Sequence, residues 1–144
     1  IRVNEPGKYG ESALFKSNVP AVTRDLVAAG ANVNLASNGG FTPLFTVTNP
    51  EAVAFLIKSG ADVNHLNNKQ QNILVDNLLD AHAAYKISMD ERAVTNRYLK
   101  KFELLIRAGI RVNDSPTPNL TPLALANRVP FTRIVALLKK AGAR

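Results

Sequence analysis

The stretch Gly30-Ala31-Asn32-Val33-Asn34-Leu35-Ala36-Ser37-Asn38-Gly39-Gly40-Phe41-Thr42-Pro43-Leu44-Phe45 decides how this chain is read, because its parts return along the whole sequence at fixed offsets. Val3-Asn4, Val33-Asn34, Val63-Asn64 and Val112-Asn113 each open a segment in which the residue nine after Val is Ser12, Thr42, Asn72 or Thr121. Leucine follows two residues later every time, at Leu14, Leu44, Leu74 and Leu123. The residue between is Pro43 or Pro122 in two copies and Ala13 or Ile73 in the others. Each segment then runs through an apolar helical pattern and closes on Gly30, Gly60, Gly109 or Gly142. Glycine suits the left-handed backbone just past a helix end. Self-similarity of this kind marks an array of one supersecondary unit.

The interval from Val to Val is 33 − 3 = 30, 63 − 33 = 30 and 112 − 63 = 49 residues. Together these features resemble the ankyrin-repeat family. The resemblance is carried by Thr42-Pro43-Leu44, Thr121-Pro122-Leu123, Gly30-Ala31-Asn32-Val33-Asn34, Gly60-Ala61-Asp62-Val63-Asn64 and the run from Leu137 to Gly142. It covers essentially the whole chain and implies one all-α domain, a solenoid of stacked helix-turn-helix units with short hairpin-like turns. The expected repeats are 3–32, 33–62, 63–111 and 112–144. The histidine that commonly follows Thr-Pro-Leu in the family is replaced by Phe15, Phe45, Val75 and Ala124, where an apolar contact is expected to substitute. That departure marks a divergent, bacterial-like member.

From the Ser/Thr/Asn position to the closing glycine the four copies take 30 − 12 = 18, 60 − 42 = 18, 109 − 72 = 37 and 142 − 121 = 21 residues. The first two copies are therefore trimmed, with Pro20 and Pro50 placed for the first turn of the second helix. The third is longer than the fourth by 37 − 21 = 16 residues. Leu74, Leu78, Ala81 and Tyr85 make one helical stripe, and Val94, Tyr98, Phe102 and Leu105 make a second. Ser88 and Glu91 have the spacing of a capping box, so residues 80–95 are expected to form a protruding helical hairpin whose removal leaves the remaining units folded. In the first copy Thr23 and Asp25 stand where later copies place Val53 with Phe55 and Phe102 with Leu104, which predicts a wetter outer side. Lys139 and Lys140 give the last copy a polar cap. Ile1-Arg2-Val3-Asn4 matches Ile110-Arg111-Val112-Asn113 letter for letter and reads as the link leaving a preceding repeat.

Composition limits the chemistry. Of 144 residues, 46% are hydrophobic and 20% charged, so neither a disordered polyelectrolyte nor a fibrous chain fits. Cysteine is absent, which excludes disulfides, thiolate metal sites and a cysteine nucleophile. No apolar run approaches a membrane span, and a soluble chain is expected, cytoplasmic, or periplasmic if a leader is removed. The charge is uneven: residues 1–91 hold 7 basic and 9 acidic groups, and 92–144 hold 11 basic and 2 acidic, which is −2 against +9. The basic groups Arg92, Arg97, Lys100, Lys101, Arg107, Arg111, Arg128, Arg133, Lys139, Lys140 and Arg144 are expected on solvated helix faces. Without an aromatic stacking platform among them, binding to nucleic acid or an anionic membrane is disfavoured.

Catalytic groups are scarce. His65 and His82 lack a paired metal-ligand spacing, and although Asp76 and Asp80 share a helix face, i, i+4 geometry turns His82 away from them. Gly39-Gly40 fits a turn, not a phosphate-binding loop. The expectation is a non-enzymatic protein with no cofactor and no metal. The resemblance implies partner recognition through turn tips and inner helix surface. It carries over by position to Lys8, Tyr9, Glu11, Asn38, Phe41, Asn68, Lys69, Gln71, Thr117, Pro118 and Leu120. Tyr9 and Phe41 are the expected anchors, since binding hot spots favour large aromatics with few rotors. The partner is expected to be one dedicated protein gripped by the concave face together with the protruding helical hairpin, an acidic one or a toxin or effector enzyme, the latter because small ankyrin-repeat immunity proteins look alike.

Overall fold

The computed structural model describes residues 2–144; Ile1, the first residue of the link read above, lies outside them. The fold is all-α. Among the described residues there are seven α-helices and no strand: α1 Pro20–Ala28, α2 Pro43–Thr46, α3 Pro50–Lys58, α4 Ile73–Ser88, α5 Glu91–Arg107, α6 Pro122–Ala126 and α7 Thr132–Lys140. Two 3-10 helices, Ala13–Lys16 and Pro118–Leu120, complete the set. Proline opens α1, α2, α3 and α6, where its missing N–H costs nothing and its fixed φ suits the first turn. Asn49, Asn72, Asp90 and Thr121 cap α3, α4, α5 and α6 by accepting from backbone N–H groups two or three residues on.

The capping box expected from Ser88 and Glu91 does not form. Ser88 is the last residue of α4 and its hydroxyl donates to the Ala84 carbonyl, while Asp90 Oδ1 accepts from Ala93 N at 2.9 Å and starts α5. Aspartate wins because it sits directly before the first helical residue.

The helices lie in two rows. In one, the 3-10 helix Ala13–Lys16 packs on α2, α2 on α4 and α4 on α6; in the other, α1 packs on α3, α3 on α5 and α5 on α7. Leu14, Leu44 and Leu74 are fully buried along the first row, and Leu56, Leu105 and Leu138, each four residues before its closing glycine, along the second. Each such leucine contributes about 1.5–3 kcal/mol of burial. The wetter outer side expected of the first copy is present at Asp25, which is exposed, and absent at Thr23. Thr23 is fully buried, and its hydroxyl donates to the Ser17 carbonyl at 2.6 Å, so the polar group is satisfied inside.

Two devices recur. At every closing glycine φ is between 90° and 93°, its N–H reaches three residues back, and the next N–H reaches the buried leucine or Leu26 five residues back, as in Ala61 N to Leu56 O at 3.0 Å. These are Schellman ends that satisfy otherwise orphaned carbonyls. The asparagines of the Val-Asn pairs join consecutive units. Asn34 Nδ2 donates to Gly60 O and its Oδ1 accepts from Asp62 N; Asn4, Asn64 and Asn113 repeat this on Gly30 with Asn32, Gly109 with Arg111, and Gly142 with Arg144.

The turn tips stack too. Asn38 N donates to Tyr9 O and Asn68 N to Gly39 O. Gly10 and Gly40 take φ of 79° and 77°, and a Cβ there would come within 2.8 Å of Asn38 N and 2.7 Å of Asn68 N. The equivalent residue of the third tip is Gln70, at φ 59°. The fourth tip carries the 3-10 helix Pro118–Leu120 in place of the matching turn.

In the long third unit α4 packs on α5, with α4 also against its neighbours α2 and α6 and α5 against α3 and α7. Its span 80–95 is not all dispensable. Ala81, Val94 and Thr95 are buried, and Tyr85 stands edge-on to Phe131 at 5.9 Å, so only the exposed end around Ile87 and Met89 projects free of the core.

Candidate functional site

The step in helix length creates the site. The copy-two position Thr46, where α2 ends, corresponds to 46 + 30 = 76, yet α4 continues from Asp76 to Ser88. Twelve further residues at about 1.5 Å each carry α4 about 18 Å past its short neighbour. Between the short helices and this overhanging wall lies a cleft of about 360 Å³. Glu11, Phe15, Phe41 and Phe45 line one side, and Asp76, Asn77, Asp80 and Tyr98 the other. Phe45 is buried and packs edge-on against Phe41 at 5.4 Å and against the His65 ring at 6.3 Å.

Behind the acidic wall is Lys101, which corrects its expected place on a solvated face. Its side chain is fully buried, and Nζ donates to the Phe45 carbonyl at 3.0 Å. Asn77 Nδ2 donates to the same oxygen at 3.0 Å, which fixes the amide orientation and leaves Oδ1, buried, with no hydrogen-bond partner within the protein. Burial pushes the Lys101 ammonium down from 10.5 to about 7 against the opposing pull of Asp76 and Asp80. Burial, then the neighbouring Asp80 charge, lifts the Asp76 carboxyl from 3.8 to about 6, while Lys101, Asn77 and Lys69 pull it down. Asp80 is raised by burial against Lys101, and the Tyr98 phenol is raised by burial and by Asp80. Among the described residues the salt bridges are Arg2–Glu5, Arg24–Glu51, Lys100–Glu103 and Arg111–Asp114, all at the surface, so neither cleft aspartate is in an ion pair.

Of the residues expected to bind a partner, Glu11 and Phe41 reach this cleft. Tyr9 is 60% exposed with the Lys8 ammonium 5.4 Å from its ring centroid, a cation on an aromatic face. Asn38, Asn68 and Lys69 are exposed on the tips, but the backbone of Asn38 and Asn68 is spent on stacking. Gln71 is a correction: it is buried and its Oε1 accepts from Asn67 Nδ2 at 3.1 Å, so its side chain braces the tip. Thr117 and Pro118 are exposed, and Leu120 is half-buried against the core, apart from the cleft. Thr42, Pro43 and Leu44 are buried at the start of α2; Thr121 caps α6, Pro122 is buried and Leu123 packs on the core.

His65 Nε2 donates to Gly40 O at 2.9 Å, a structural bond between tips. Among the described residues no group of three or more His, Asp or Glu comes together to hold a metal, and no helix is long and apolar enough to cross a membrane. Sequence reasoning placed Asp76 and Asp80 on one face but missed Lys101, Asn77 and Tyr98 as their surroundings. A signal existed: counting eight back from each closing glycine gives Val22, Ala52, Lys101 and Ile134, three apolar residues and one lysine. No family model matches the chain, and no curated protein matches it.

Proposed function

We propose that this chain is an ankyrin-type stack of four helix-turn-helix units that works, without catalysis, by binding a dedicated protein partner on its inner face. Support for the architecture comes from the two parallel rows of helices, the fourfold Schellman ends and the fourfold asparagine bonds between consecutive units. The observation that carries the function is the cleft beneath the α4 overhang, where half-buried Phe41 and the carboxylates of Asp76 and Asp80 meet on a rigid scaffold. Tyr9 extends this surface along the tips. Aromatic side chains with few rotors are enriched at the centre of specific protein interfaces, and charges beside them select a partner of complementary charge. Among the exposed basic groups, Arg92 and Lys100 on α5 are not part of that lining.

The test is capture from nuclease-treated lysate of the source cell at low and high salt, with wild-type chain and with Tyr9→Ala, whose side chain is exposed enough to be removed without touching the core. The expected result is one stoichiometric protein that survives high salt and is retained about tenfold less by the variant, with unchanged helical circular dichroism. Retention that vanishes with salt or nuclease would transfer function to the basic surface.

A further inference from the structure

Resting on that reading, we propose that the cleft receives an arginine side chain of the partner protein, its guanidinium bound by Asp76, Asp80 and Asn77 Oδ1 and its plane lying against Phe41. The lining groups that can only accept are many: two aspartates on successive turns of α4, Glu11 across from them, and the buried amide oxygen of Asn77 with no partner inside the protein. That oxygen is the independent mark of a ligand. Asn77 lines the cleft, is 1% exposed and has its Nδ2 committed to Phe45 O, so its buried Oδ1 is left without a donor inside the protein.

The donor's chemistry follows from the walls. Guanidinium offers five N–H donors in a planar fork, stacks on aromatic rings and sheds water more readily than an ammonium group, so it satisfies several acceptors at once beside Phe41. A divalent cation is disfavoured because, among the described residues, no third metal-ligating group comes close enough to Asp76 and Asp80 to share an ion with them. The protein's formal charge of +7 repels cations at long range, so capture of one must come from local complementarity.

The experiment is a two-dimensional amide NMR titration of the full chain at pH 7 with acetyl-Gly-Arg-Gly-amide, and with the same peptide carrying lysine or citrulline. Saturable shifts confined to amides around Phe45 and Asp76–Asp80 are expected, in the millimolar range for one side chain. Lysine should bind several-fold more weakly, citrulline not measurably, and Asp80→Asn, an exposed position, should weaken arginine binding about tenfold. Unsaturable or scattered shifts, equal response to citrulline, or indifference to Asp80→Asn would overturn the proposal, as would concentration-dependent self-association abolished by Asp80→Asn, which would make a second copy the occupant. A partner captured in a Tyr9-dependent way together with a negative titration would remove the arginine site alone, leaving protein binding intact.

Discussion

Lys101→Met tests whether the cation behind the cleft is held at the expense of stability. Other copies fill this position with Val22, Ala52 or Ile134, and methionine restores an apolar side chain of nearly the same length. In the folded protein burial lowers the lysine from 10.5 to about 7, so the unfolded chain binds the proton more tightly. Between those values the unfolded state carries the extra proton, and stability therefore rises with pH; the penalty is complete well below pH 7 and gone above 10.5. Each pH unit inside the window is worth about 1.4 kcal/mol, so 10.5 − 7 = 3.5 units amount to about 5 kcal/mol in full. At pH 7 half of the folded molecules are already neutral there, which leaves a gain of about 2 kcal/mol for wild type between pH 7 and pH 9. Asp76, at about 6, is largely ionised across that interval, and Tyr98 is raised away from it. The methionine variant should be flat from pH 7 to 9 and more stable at pH 7 by about 1–4 kcal/mol, less about 1 kcal/mol for the lost bond to Phe45 O. Asn77 still serves that carbonyl. Urea unfolding followed by circular dichroism at pH 7, 8 and 9 reads both numbers. A wild-type stability that stays level or falls with pH, or a variant that tracks it, would refute a buried, proton-poor lysine.

Glycine substitutions separate backbone from packing. Gly60→Ala meets no atom within 4 Å and should cost only the left-handed backbone, about 1–2 kcal/mol, whereas Gly40→Ala adds a clash with Asn68 N and should cost at least about 1 kcal/mol more in thermal melts. Met89, at φ 54° in the hairpin turn and 69% exposed, gives the opposite sign: Met89→Gly should stabilise by about 0.5–1 kcal/mol in the same assay.

Much of the fold was legible because its signals are local and repeated. Glycine at the helix ends, proline at the first turns and leucine at fixed offsets each answer a backbone or burial demand that recurs four times, and the all-helical class followed from them. Asp90 against Ser88 was not legible, since two good capping residues two positions apart differ only in where α4 stops. Thr23 misled because a hydroxyl looks wet in sequence; its partner, the Ser17 carbonyl, lies on the preceding connection and appears only once the chain turns. Gln71 misled likewise, its amide being taken up by Asn67 four residues earlier. At the site, helical periodicity alone put Asp76 and Asp80 on one face. What encloses them comes from Phe45, 31 residues before Asp76, and from Tyr98 and Lys101 on the next helix, long-range neighbours that no spacing rule reports.

The two departures from the repeat coincide in space, and that coincidence bears on function. A stack kept for stability alone would end α4 near the level of α2 and place an apolar residue at 101, as the copies with Ala52 and Ile134 do. This chain instead extends the helix, sets two carboxylates at the step and buries a lysine behind them, and the burial of these charged groups costs folding free energy. Lys101 moderates the repulsion between Asp76 and Asp80 without joining either in a salt bridge, so the aspartates remain available for a cation arriving from outside. An arrangement that weakens the free protein at one cleft while the rest of the array follows its rules is what a site completed by a ligand requires.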